Sequence, residues 1–187
     1  MGPMGGKAVV ESDHHRQADW NHEMSDALFT YGTLQFPEVM EAVTGLVLPW
    51  MEAEAPGFAQ FRFVDRIYPG MVAREGALTQ GRVYTALSPQ TWELLDRFED
   101  PIYRRDLLEV YRPDGSIMTA HAYVLPVAQQ HLLSSELWQM DWFIEAHLDG
   151  YVSRCRVFYD AITSESLPES RKETLWKLTD SSGNSQS

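Results

Sequence analysis

Between residues 27 and 125 the sequence breaks into short strand-like stretches divided by turn signals. That punctuation constrains the chain to a mostly β domain. Residues 27–31 are a short apolar run stopped by Gly32, the pattern of a buried first strand. In residues 59–64, Gln60 and Arg62 alternate with Phe61 and Phe63, as on a half-exposed strand. Tyr68-Pro69-Gly70 reads as a turn, and residues 71–73 and 77–87 as further strands, with Gly81 at a bulge. Residues 107–111, the turn Pro113-Asp114-Gly115 and residues 119–125 make a hairpin. The intervening stretch 45–58 reads as a mixed loop.

Helices fit into this frame at three places. Residues 36–43 form one or two turns, with Pro37 where its missing N–H is harmless. Ser88-Pro89 supplies a cap and a first helical residue, and Pro101 ends that helix near Asp100. From Ser134 onward the spacing is helical. Ile144, Leu148, Tyr151, Cys155, Phe158 and Ile162 share one apolar face, Gly150 marks a kink or break, and Trp138, Trp142 and Phe143 are core. The expected organisation is a mobile leader over residues 1–25, a domain over 26–162 and a polar tail over 163–187.

With 187 residues the chain is long enough for one domain with its own core. A net charge of −12 excludes a nucleic-acid partner, which needs a basic footprint. No apolar run is long enough to span a bilayer, so no membrane partner is expected. A lone cysteine, Cys155, and the lack of a signal-like apolar segment fit a cytoplasmic protein. His14-His15, with Asp13 or His22, has the residue types of a metal site. They sit in a polar leader without a rigid framework, so they are expected to be solvated and no metal is expected.

One carboxylate does not fit its helix. At about 100° per residue, Trp92, Leu94, Leu95 and Phe98 share one side of the 89–100 helix, and Glu93, Asp96, Arg97 and Asp100 the other. Glu99 falls between Trp92 and Leu95, on the apolar side. A buried carboxylate is paired, hydrogen-bonded or protonated, and burial raises its pKa toward the range of a general acid and base. Its alternative role is a structural ion pair with Arg104 or Arg105. Upstream, Tyr31-Gly32-Thr33-Leu34 can present successive backbone N–H groups in a tight turn, a nest for an anion; an ordinary strand-ending turn with Tyr31 in the core has the same sequence.

The Tyr31-Gly32-Thr33-Leu34 segment and the later Leu95-Asp96-Arg97-Phe98-Glu99…Tyr103-Arg104-Arg105 segment together resemble the gamma-glutamylcyclotransferase-like family. That family includes gamma-glutamylamine cyclotransferases and avirulence-induced plant proteins. The resemblance spans about residues 27–125. It implies an α+β fold: a small twisted β-barrel-like domain with flanking helices, a long C-terminal helical region and a cavity at one end of the barrel. It also implies a gamma-glutamyl substrate whose own α-amine attacks its side-chain carbonyl, giving 5-oxoproline and a free amine. Proximity is built into such a substrate, so one carboxylate can move the protons without metal, cofactor or covalent intermediate. Glu99 is thereby assigned as acid/base, and Tyr31, Gly32, Thr33, Leu34 and Tyr103 as substrate-binding. Asp100 departs from the glycine of many relatives, and Cys155 is expected to be inert. The alternative function is a binding module that senses or sequesters a glutamyl-like ligand in the same cavity.

Overall fold

The computed structural model describes residues 26–164. The expected leader, with its histidine pair, and all but the first residues of the expected tail lie outside the described residues. Six strands form one sheet: β1 (Leu28–Thr30), β2 (Trp50–Phe63), β3 (Pro69–Tyr84), β4 (Arg104–Tyr111), β5 (Ile117–Val124) and β6 (Leu133–Leu137). The order is β3-β1-β5-β4-β2-β6, and β2 also pairs with β3. That extra pairing closes five strands into a mixed barrel and leaves β6 as an outer strand on β2. β1 runs antiparallel to β3 and parallel to β5. Among the described residues, four α-helices flank the barrel: α1 (Pro37–Thr44), α2 (Pro89–Phe98), α3 (Met140–Ala146) and α4 (Leu148–Thr163).

Alternation along each strand separates two large cores, beside a smaller third cluster of Phe63, Val72 and Leu125. Phe29, Val83, Ala53, Ala55, Ala120 and Ala122 point into the barrel. Leu28, Tyr84 and Tyr123 point outward, where α1, α2 and α4 cover them with Val39, Met40, Val43, Leu95, Phe98, Cys155 and Phe158. The interior is narrow, and alanine fills much of it. Gly81 is the limiting case. A β-carbon there would lie 2.1 Å from the Thr30 carbonyl oxygen. Gly81 therefore allows β1 to approach β3, and it stays in register opposite Ala53 rather than forming a bulge. The register shift lies between Pro56 and Phe58, beside Gly57 with φ 77°.

Several sequence expectations need correction. The stretch 45–58 is not a loop, because β2 begins at Trp50. Its inward residues Ala53 and Ala55 are too small to announce a strand, and its outward ones include Glu52 and Glu54. Pro69-Gly70 is not a turn but the start of β3, where Pro69 pairs with Arg62 and its missing N–H is tolerated. Residues 71–73 and 77–84 belong to one strand. The helix expected from Ser134 begins only at Met140, because Leu133–Leu137 pairs with β2. The helical break is at His147 (φ −132°, ψ −26°), not Gly150, which lies within α4. Ile144 is exposed, whereas Tyr151, Cys155, Phe158 and Ile162 form the buried face. Trp138 and Phe143 are core, as read.

Candidate active site

The end of β1 and the end of α2 meet at one cavity. β1 runs into a 3₁₀ turn at Thr33–Gln35, closed by Gln35 N–H donating to the Gly32 carbonyl at 3.1 Å. α2 starts as the sequence indicated, with the Ser88 hydroxyl accepting the Thr91 N–H at 3.1 Å. It stops earlier than expected, at Phe98. Glu99 is already extended (φ −70°, ψ 145°) and is not on a helical face. The chain then turns at Asp100, whose carboxylate accepts the Ile102 N–H at 3.0 Å.

The cavity is about 50 Å³ and is walled by Tyr31, Gly32, Thr33 and Leu34 on one side and Phe98, Glu99, Asp100 and Tyr103 on another. Tyr68, Tyr123 and Tyr151 complete it. All six residues singled out from the sequence thus face one space. Among the described residues, no lysine or arginine lines it. Glu99 is partly buried, and among the described residues its carboxylate is in no ion pair. The arginines once considered for it are taken elsewhere: Arg104 pairs with Asp106 and Arg105 with Asp96. Desolvation first, then the negative charges of Asp100 and Asp96, push the Glu99 carboxyl up to about 8.

The Tyr31–Leu34 loop is held from behind. Tyr31 donates its hydroxyl proton to the Tyr123 carbonyl at 2.6 Å and accepts the Met71 N–H at 3.3 Å, which fastens β1 to β5 and β3. Its side chain is therefore a strut, and its phenol is pushed well above the usual range by burial and then by Glu99. The Thr33 hydroxyl donates to Tyr151 Oη at 3.2 Å. Among the described residues, no hydrogen bond uses the N–H groups of Gly32, Thr33 or Leu34. Glycine at position 32 has a packing reason, since a β-carbon would sit 2.9 Å from the Pro69 ring. Tyr103 donates its hydroxyl proton to the Pro69 carbonyl at 2.7 Å, so this ring lines the cavity with its hydroxyl already engaged.

Asp100 was assigned to the charged face of the helix but is buried, bound to Arg66 and to the Tyr68 hydroxyl at 3.1 Å. Sequence reasoning missed this clamp, although Asp before Pro-Ile at a helix end is an Asx-turn signal. It also missed Tyr68, Tyr123 and Tyr151. The last two arrive from β5 and α4, and nothing local marks them. Cys155 is buried, and desolvation pushes its thiol up to about 12, which leaves it unreactive. Among the described residues, no group of three His, Cys, Asp or Glu side chains is placed to hold a metal.

Residues 28–140 match the family model described as gamma-glutamyl cyclotransferase, AIG2-like. The chain belongs to that family. AIG2-like protein C of Arabidopsis thaliana is 28% identical over 145 residues, covering 77% of this chain and 82% of that protein. AIG2-like protein B of the same plant is 32% identical over 89 residues, 48% of this chain and 52% of its own. The fold is shared with a solution structure of an Arabidopsis thaliana protein (TM-score 0.53, 24% identity, 76% of this chain and 94% of that one). It is also shared with a gamma-glutamyl cyclotransferase (TM-score 0.50, 13% identity, 80% of this chain and 85% of that one). Among the described residues of this AIG2-like chain, no helix is long and apolar enough to cross a membrane.

Proposed function

We propose that this AIG2-like chain cyclises gamma-glutamyl amines or gamma-glutamyl amino acids to 5-oxoproline, releasing the amine, with Glu99 as acid and base. The observation that carries the reading is Glu99 itself: a carboxylate outside any ion pair among the described residues, facing a cavity, with its pKa moved close to neutral. Such a group accepts and returns a proton at little cost in either direction.

The cavity chemistry suits the glutamyl head. The uncommitted N–H groups of residues 32–34 would donate hydrogen bonds to its α-carboxylate, a task that no cationic side chain among the described wall residues could take over. Glu99 and Asp100 favour the α-ammonium. Held at both points, the glutamyl chain folds so that its amine reaches its own γ-carbonyl, and attack forms a five-membered lactam. Glu99 takes a proton from the attacking nitrogen and delivers it to the departing one, whose C–N bond breaks. A cavity of about 50 Å³ gives on the order of four water-sized positions, at about 10–15 Å³ each. That holds only part of the glutamyl head, so the remainder of the substrate would extend through the mouth.

The test is release of 5-oxoproline from a panel of gamma-glutamyl amines and dipeptides, with binding measured in parallel. Turnover that disappears in Glu99→Gln while binding persists supports the enzyme. Tight binding by the wild-type protein with no product from any panel member supports a ligand sensor instead and rejects the catalytic assignment.

A further inference from the structure

Cyclisation moves two protons, and Glu99 holds one at a time. The substrate's α-ammonium carries three hydrogens and the lactam nitrogen one; the leaving nitrogen goes from one hydrogen to three. One proton can travel on Glu99 from nitrogen to nitrogen. The other must leave before attack, because an ammonium has no lone pair, and an equivalent must return to the departing amine. With substrate across the mouth, that exchange needs a route through the wall.

We propose that Tyr123 and Asp96 form a proton relay connecting the catalytic cavity to solvent on the far side of α2. The relay rests on the cyclisation reading above. Tyr123 lines the cavity together with Glu99, and its hydroxyl donates to Asp96 Oδ1 at 2.7 Å. The Asp96 side chain is 45% exposed. It opens on a separate surface cleft with Pro89, Trp92 and Arg105. Arg105 holds both Asp96 oxygens, at 3.0 and 2.8 Å, and stacks 4.6 Å from the Trp92 ring centre, so the carboxylate is fixed toward Tyr123. One hydroxyl therefore bridges two compartments.

The other wall tyrosines lead nowhere comparable. Tyr31 and Tyr103 donate to backbone carbonyls, which cannot pass a proton on. Tyr68 donates to Asp100, whose side chain is only 4% exposed. Tyr151 meets the Thr33 hydroxyl inside the fold. In the outward step, the proton on Glu99 passes across the cavity to the Tyr123 oxygen as the Tyr123 proton passes to Asp96. Asp96 then releases it to water in the cleft, and the reverse sequence supplies the departing amine. Tyr123 is neutral before and after, consistent with a phenol whose pKa is raised by burial, then by Glu99, far out of reach of ionisation.

The experiment compares wild type, Tyr123→Phe and Asp96→Asn at pH 9, above the Glu99 titration, in light and heavy water, with and without added imidazole. The relay predicts kcat lowered about 10- to 100-fold in both variants, of the size of one acid–base contribution. KM should stay within about twofold, and the solvent isotope effect on kcat should rise. Imidazole should restore Asp96→Asn, whose position is open to the cleft, and not Tyr123→Phe, whose position is enclosed. Because Asp96 is at the surface, its variant decides the matter even if Tyr123→Phe fails to fold. Wild-type kcat in Asp96→Asn overturns the relay while leaving cyclisation intact. So does a lowered kcat with an unchanged isotope effect and no imidazole rescue. A wild-type protein that forms no 5-oxoproline from any panel member overturns both.

Discussion

Glu99 sits where three influences converge: desolvation, the Asp100 charge and the Asp96 charge all oppose its ionisation. The catalytic and thermodynamic consequences have opposite signs. In the proposed role of base, Glu99 works only when ionised, so kcat/KM should climb with pH to a free-enzyme pKa near 8 and level off above it, a limb absent from Glu99→Gln. In that variant turnover should fall by about two to four orders of magnitude. Stability runs the other way. The folded protein retains a proton that the unfolded chain gives up near pH 4.5, so stability decreases as pH rises from there to about 8. At most about 1.4 kcal/mol is lost per pH unit. Glu99→Gln lacks this loss. It should match wild type near pH 4 and exceed it by about 2–4 kcal/mol at pH 9, which urea unfolding at the two pH values would measure; equal stability at pH 9 would show an unstrained carboxylate. The sequence singled out this residue through a helical wheel that does not extend to it, since α2 ends at Phe98. Glu99 nevertheless lines the cavity, from an extended backbone next to the buried Phe98. Tyr123 and Tyr151 stayed hidden because their place in the wall depends on distant elements closing over it.

At the scale of elements, the segment after α2 is pinned by Asp100. Its carboxylate, bound to Arg66, the Tyr68 hydroxyl and the Ile102 N–H, joins that segment to the bend between β2 and β3. Asp100→Ala removes the buried carboxylate bound to the 17%-exposed Arg66 side chain, which keeps the exposed Asp65 at 3.8 Å. It should lower stability by about 2–4 kcal/mol, near the lower range for breaking a buried pair. It also loosens the backbone that aims Glu99, so thermal melting and kcat should fall together; an unchanged melting temperature would show the clamp to be dispensable. Gly81→Ala tests barrel closure. Its methyl would meet a backbone oxygen, which cannot swing aside as a side chain can, so a loss of more than about 3 kcal/mol is expected, at the large end for overpacking. Elements with strong local chemistry were legible: Ser88-Pro89 opened α2, Pro37 opened α1, and the hairpin turn fell at Pro113-Asp114-Gly115. β2 before Ala59 and β6 were not. Their identity comes from partners across the sheet rather than from alanine-rich or serine-containing sequence of their own.

For the whole molecule, the net charge of −12 acts on the approach of substrates. For the substrates proposed above, an anionic gamma-glutamyl dipeptide would be repelled and a gamma-glutamyl compound carrying an extra cation attracted. Raising ionic strength from about 0.01 to 0.15 M shortens the screening length from roughly 30 to 8 Å. kcat/KM should therefore rise for the anionic substrate and fall for the cationic one, each by a few-fold; parallel responses would assign the salt effect to the site rather than to the protein's field. The barrel itself has a further consequence, in the order of its making. β1 leaves the ribosome before any of its partners: it pairs with β3 at Tyr84 and with β5 at His121. Until those residues emerge, Leu28 and Phe29, both fully covered in the finished fold, stay uncovered on a strand with two open edges. Closure through such distant contacts is slow compared with helix formation. The nascent chain thus passes through a window of self-association that ends only when β5 is synthesised, and the strand that leads into the candidate site is exposed throughout it.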